Sequence, residues 1–370
     1  MKKSLAGHHP DYVFLAGIFL LVFFGLLMLS SASSDLGKIK FNDTYYYLKH
    51  QVYFGLIIGV VGFFIAYFFH YRYLSKFSIP LLLLSIMGLI LVFTPLGLRH
   101  GAASRWIDLG FASIQPAEFV KLSFILYLAA WLAPSAGRRG FRQTDFLAGY
   151  LPFLIISGII GLLILLQPST TTLLIIMTAG LITYFASGAR LSYVFLTILL
   201  GIIGLGLIIA VSQDYRLGRI TGYLSGQPQE GGYHLNQALI AIGSGKMWGV
   251  GFGESTSKFR FLPEPIGDSI FAVIAEELGF IGGILLLALF TFLIFRAFMI
   301  AKNSRDQFAK LAIIGFTSTI ALQTFIHVAA ISGIIPLTGV PLPFVSYGGT
   351  SLAVFLTMAG IIGNMSKYTD

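Results

Sequence analysis

The stretch DSIFAVIAEELGFIGGILLLALFTFLIF, residues 268–295, decides the fold. From Ser269 to Phe295 it is apolar over more than the roughly 20 residues a helix needs to cross a bilayer. Similar runs lie at 13–29, 52–69, 78–94, 117–132, 146–166, 172–186 and 191–211 before it, and at 311–331 and 346–364 after it. Together they predict an all-α integral membrane protein, a polytopic bundle of about ten transmembrane helices. The shorter runs, such as 172–186, need flanking polar groups or a locally thin bilayer to fit. Composition agrees: 56% apolar and only 11% charged residues in 370 leave too little polar surface for a water-soluble globule. The 34 Phe and 42 Gly suit lipid-facing surfaces and close helix contacts respectively.

The 24 Lys and Arg against 15 Asp and Glu would suggest nucleic acid in a soluble protein, but their placement argues otherwise. Lys2 and Lys3, Arg72 and Lys76, Arg138, Arg139 and Arg142, Arg190, then Arg296, Lys302, Arg305 and Lys310 fall in alternate connections. Those connections are expected to be cytoplasmic, with both termini on that side and no nucleic-acid partner. Lys2 and Lys3 before the first run and SSASS (30–34) after it also fit a cleaved leader, but the length of the apolar core favours a retained span. The outer connections are then 30–51, 95–116, 167–171, 212–268 and 332–345. The chain reads as a single domain over 1–370 with one large extracytoplasmic loop at 212–268, too long for a simple connector. With no cysteine, nothing depends on disulfides.

On that outer side three places offer chemistry. Pro263 and Pro265 disfavour helix, so Asp268 stands at the mouth of a membrane helix. Position alone favours an N-cap over a carboxylate tuned for base chemistry, which could occupy the same place. QPAEFVK (115–121) places Glu118 and Lys121 three residues apart on one helix face, where a buried pair or a helix-start pattern both fit. Just upstream, GAASRWIDLG (101–110) supplies Arg105 and Trp106, suited to phosphate contact or to interface anchoring. The run ISGIIPLTGVPLPFVSYGGTS (331–351) has too many Pro and Gly for a regular helix, so its backbone must line a protected or watery space or pack as a rigid turn. Gln167, Ser169 and Thr170 to Thr172 add neutral hydrogen-bonding groups at another outer helix end.

SSASS, GAASRWIDLG with QPAEFVK, YRLGRITGYL (215–224), AIGSGKMWGVGFGESTSKFRFLPE (241–264), DSIFAVIAEELGF (268–280) and PLTGVPLPFVSYGGTS (336–351) occur in order over nearly the whole chain. This set resembles the SEDS family (FtsW, RodA, SpoVE) of bacterial shape, elongation, division and sporulation proteins, and is most similar to its FtsW cell-division branch. The resemblance implies a peptidoglycan glycosyltransferase that polymerises lipid II into glycan strands at the outer face of the cytoplasmic membrane. It places the family's essential acid on Asp268 as general base. It makes Glu118, Lys121, Arg105, Lys258, Arg216 and Arg219 candidates for substrate contact. It further implies a class B penicillin-binding protein as partner, other division or elongation proteins around it, no organic cofactor, and a divalent cation such as Mg or Mn at the leaving group, for which no ligands can be placed.

Three departures stand out: Ser169 where the family usually has an acid, His327 where Asn is common, and Ser269 where Phe usually follows the acid. His327, within a span, reads as a hydrogen-bonded packing residue rather than a ligand. Two other functions fit a polytopic chain of this kind. A lipid II flippase would need a polar path open to both faces, whereas most acids here lie outside or at outer helix ends. A division scaffold without catalysis would tolerate the amide at position 268.

Overall fold

The computed structural model describes residues 8–100, 103–108, 110, 112–133, 144–211, 230–259 and 261–369. All ten apolar runs are helical. Helix α1 spans Tyr12–Ala32, followed by two short helices, α2 (Ser34–Phe41) and α3 (Tyr46–Gln51). A π-helical stretch (Val52–Ile57) carries α3 into α4 (Ile58–Phe68), and α5 spans Tyr71–Leu91. After α6 (Pro116–Leu132) come α7 (Leu151–Leu166), α8 (Thr170–Ala186) and α9 (Leu191–Val211). The last four are α10 (Glu230–Ser244), α11 (Ile270–Asn303), α12 (Gln307–Ile331) and α13 (Gly349–Met365). Among the described residues, seven helical stretches are long and apolar enough to span a membrane by themselves. The 17-residue α6 and α8, with α9, complete the ten, close to the lower length limit for a crossing.

The helix starts follow local chemistry. Asp11, Asp145 and Asp306 each accept a hydrogen bond from a backbone amide of the turn they precede, and Pro116 opens α6 where its missing N–H costs nothing. The centre of the bundle is α6, α12 and α13, whose residues are mostly buried, whereas most of α5 is not. Helix α13 packs mainly on α4, while α12 packs on α11, α8 and α6. The backbone amide of His8 donates to Lys367 O (2.8 Å) and that of Asp11 to Ser366 Oγ (3.0 Å). The two ends of the described chain therefore meet at one end of the bundle, as an even number of crossings requires.

Three features depart from the expected plan. Helix α11 runs eight residues past Phe295, so Arg296 and Lys302 sit on its last turns rather than in a connection; Arg296 Nε there pairs with Asp11 Oδ2 at 2.8 Å. A small antiparallel sheet, β1 (Gly97–His100), β2 (Ala103–Asp108) and β3 (Ser113–Ile114), replaces the irregular loop expected before α6. Finally, the connection at 212–268 contains α10, which packs on α11 and α12.

Candidate active site

One end of the bundle gathers the β-sheet, the segment 245–269 and the segment 332–348. The last is irregular, with Gly333, Gly339 and Phe344 all at positive φ, yet Val340, Leu342, Phe344 and Val345 are buried. Its backbone polar groups must find partners inside the protein. They do so from all sides. Gln323 Nε2 of α12 donates to Pro341 O (2.9 Å), and His327 Nδ1 donates to Val340 O (2.7 Å). Ser346 Oγ accepts from Leu342 N and donates to Gly267 O, both at 2.8 Å, while Tyr347 N donates to Ile266 O (2.8 Å). Gln51 accepts from Gly348 N at 3.0 Å. The Tyr347 hydroxyl shares a hydrogen bond with His50 Nδ1 (2.9 Å); burial pushes that phenol's pKa up, with Tyr47 and Tyr46 adding to it.

Asp268 lies where these two irregular segments meet. A Cβ on Gly339 would sit 3.1 Å from Asp268 Oδ2, so the carboxylate rests against bare backbone that adopts a left-handed φ of 65°. Asp268 is half-buried. It is not the helix cap. The N-cap position of α11 falls to Ser269, whose hydroxyl donates to Pro263 O (2.7 Å) and also meets His234 Nε2 (2.6 Å). The acid is therefore set one residue before the helix, with its backbone held on both sides.

Behind the loop, Glu118 and Lys121 form a buried ion pair, Nζ to Oε1 2.6 Å, with each residue 2% exposed. Lys121 also donates to Gln323 Oε1 (2.6 Å), the same side chain that holds Pro341. The pair is the buried one that the spacing allowed, and through Gln323 it braces the loop carrying Gly339. Lys258 departs from expectation. It is 2% exposed, and its ammonium is shared among Glu277 Oε1 (2.8 Å), Ser31 Oγ (2.9 Å) and Gly253 O (2.6 Å). An ammonium has three donors and here has three acceptors, so none is left for a diphosphate. Arg105 is half-buried on β2 and donates to Gln167 O (3.0 Å) and Pro168 O. Arg216 and Arg219 lie outside the described residues.

The profile of the Cell cycle protein family (FtsW, RodA, SpoVE) matches residues 12–370. The chain belongs to this family. Among FtsW/RodA/SpoVE proteins it is 37% identical to Stage V sporulation protein E of Bacillus subtilis, over 97% of this chain and 98% of that one. It is 35% identical to the Probable peptidoglycan glycosyltransferase FtsW of Trichlorobacter lovleyi, covering 99% and 95%. The solved structure of the rod shape determining protein RodA from Thermus thermophilus matches with a TM-score of 0.70 at 25% identity, over 98% of each chain. A chain in a structure described as coordinating polymerization and crosslinking by a peptidoglycan synthase complex matches with a TM-score of 0.77 at 24% identity, covering 98% and 99%.

Two acids of this family member escaped the sequence reading. Glu276 is 1% exposed and accepts from Ser255 Oγ (2.6 Å), Thr256 N (3.1 Å) and Ser257 N (3.3 Å); Glu277, its neighbour, holds Lys258. Together they clamp 253–258 onto α11. The available signal was the cost of two carboxylates inside a membrane helix, which demands donors nearby. Among the described residues no three His, Asp or Glu groups converge. The described residues do not by themselves build a divalent-ion site.

Proposed function

We propose that the protein is a peptidoglycan glycosyltransferase that polymerises lipid II at the outer face of the cytoplasmic membrane, with Asp268 as general base, in the division branch of its family. The observation that carries this reading is the half-buried Asp268 carboxylate against Gly339, at the junction of two segments whose backbones are fixed by α12, α3 and each other. Family membership and the naming of relatives as peptidoglycan glycosyltransferases support it. In the reaction, the 4-hydroxyl oxygen of the acceptor sugar attacks the anomeric carbon of the donor. The carbon–oxygen bond to the lipid diphosphate breaks, the diphosphate leaves with the electron pair, and the hydroxyl proton passes to Asp268. The carboxylate must be ionised and held within hydrogen-bond reach of that hydroxyl, which a fixed backbone on both sides provides. Of the expected cations among the described residues, Arg105 is the one with appreciable exposure and so the candidate for diphosphate contact. Lys121 and the loop it braces act by positioning.

We further propose a class B transpeptidase as partner and a cytoplasmic position for both termini. The test is glycan-chain formation from lipid II by the purified protein with its cognate transpeptidase, native against Asp268→Asn, both checked for folding and partner binding. Loss of a well-placed base should lower the rate by about two to four orders of magnitude. Equal polymer from both variants sinks the base assignment; no polymer from either, with lipid II crossing vesicles, replaces the enzyme by a flippase. In cells carrying only the Asn variant, filaments are expected, whereas rounded cells would assign the chain to elongation.

A further inference from the structure

We infer that the turn from Lys246 to Phe252 is a membrane-interface anchor, seated among headgroups and upper acyl chains of the leaflet at the site's end of the bundle. The inference starts from a break in α11. Gly279 has φ 71° and ψ −172°, a conformation open essentially to glycine alone, and it interrupts the helix's own hydrogen bonding. The freed groups go to the turn. Phe280 N donates to Lys246 O (2.8 Å) and Ile281 N to Met247 O (3.2 Å). In return, Val250 N and Gly251 N donate to Glu276 O (3.0 Å) and Glu277 O (3.1 Å). These four bonds fix the turn's height along α11 at the break.

Immediately past the break, α11 presents its lipid-facing side: Phe280 is 60% and Leu285 64% exposed in a helix of membrane-crossing length. The turn continues that surface. Met247 is 54%, Trp248 80%, Val250 45% and Phe252 55% exposed, separated by Gly249, Gly251 and Gly253 at positive φ, which bend the backbone inward while the side chains stay out. Lys246, two residues before Trp248 and also exposed, supplies a cation. Four such side chains left in water in a clamped turn would form a costly apolar patch. Tryptophan with a cation near it in sequence is the composition of an interface belt. Continuity with the lipid-facing side of α11 selects lipid as the occupant over a soluble partner.

The test exploits the absence of cysteine from the chain. Trp248→Cys, Val250→Cys and Phe252→Cys are each nitroxide-labelled in the full-length protein, reconstituted in phosphatidylcholine–phosphatidylglycerol vesicles with the transpeptidase present, and compared with Arg305→Cys. The result expected is that dissolved oxygen relaxes the labels at 248, 250 and 252 more than a water-soluble nickel chelate does, with the order reversed at 305. Two results overturn the proposal: the turn labels following the pattern of 305, which places them in water, or immobile labels shielded from both reagents, which places them against protein. Three separate positions keep the outcome independent of the folding of any one variant.

Discussion

Lys258 shows how the same residue type reads differently once its surroundings are known. In sequence it is a cation in an outer loop; in the fold it is the counter-ion of Glu277, whose second oxygen, Oε2, has no hydrogen-bond partner among the described residues. Removing one member of a buried pair leaves an uncompensated charge, commonly worth about 3–5 kcal/mol. Lys258→Met should therefore lower the unfolding temperature in detergent, and adding Glu277→Gln should recover much of the loss. An unchanged unfolding temperature with weakened lipid II binding would return Lys258 to the substrate. Glu118 and Lys121 follow the same logic, with Gln323 as the link by which the pair reaches Pro341.

Among elements, the broken α11 has the largest consequence. A Cβ at Gly279 would lie 2.6 Å from both Met247 O and the Trp248 carbonyl carbon, so even alanine must displace the turn. The backbone strain alone costs on the order of 1–3 kcal/mol. Gly279→Ala is expected to undock 246–258, seen as new tryptic cuts at Lys246 and Lys258 in native detergent conditions and as lost polymerisation. An unaltered digest would mean that α11 absorbs the change within its own axis. The ten spans were legible because apolar length is a one-dimensional property. The break was not, since Gly279 inside an apolar run looks like any packing glycine, and the partners of Glu276 and Glu277 lie some twenty residues upstream, across irregular chain. The sheet before α6 was hidden because strands of two to six residues without clean alternation carry no pattern, and α10 because its apolar residues sit in a glycine-rich loop. The family motif pointed to Asp268, and its cap reading failed by one residue because Ser269 takes that position.

At the scale of the whole molecule, orientation decides whether the site can serve a wall outside the membrane. The end opposite the site holds the start of α1, the end of α11 and the start of α12, tied by Asp11 with Arg296 and by the Tyr71 hydroxyl on Asp306. Arg72, Lys76, Lys302, Arg305 and Lys310 all belong to that end, whereas at the site's end Lys121 and Lys258 are buried in pairs and Lys49 is bridged to Asp43, leaving Lys38, Lys40 and Lys246 among the exposed cations there. Such an asymmetry is what the proposed cytoplasmic position of the basic end calls for. Because the chain has no cysteine, single substitutions report the side directly. Lys49→Cys gives up only an exposed ion pair, worth little to the fold. It should react with a membrane-impermeant maleimide in intact spheroplasts, while Arg305→Cys should react only after permeabilisation. The reverse pattern would put Asp268 on the cytoplasmic side, where it could not extend a strand outside the cell, and the glycosyltransferase reading would fail even with every contact around Asp268 intact.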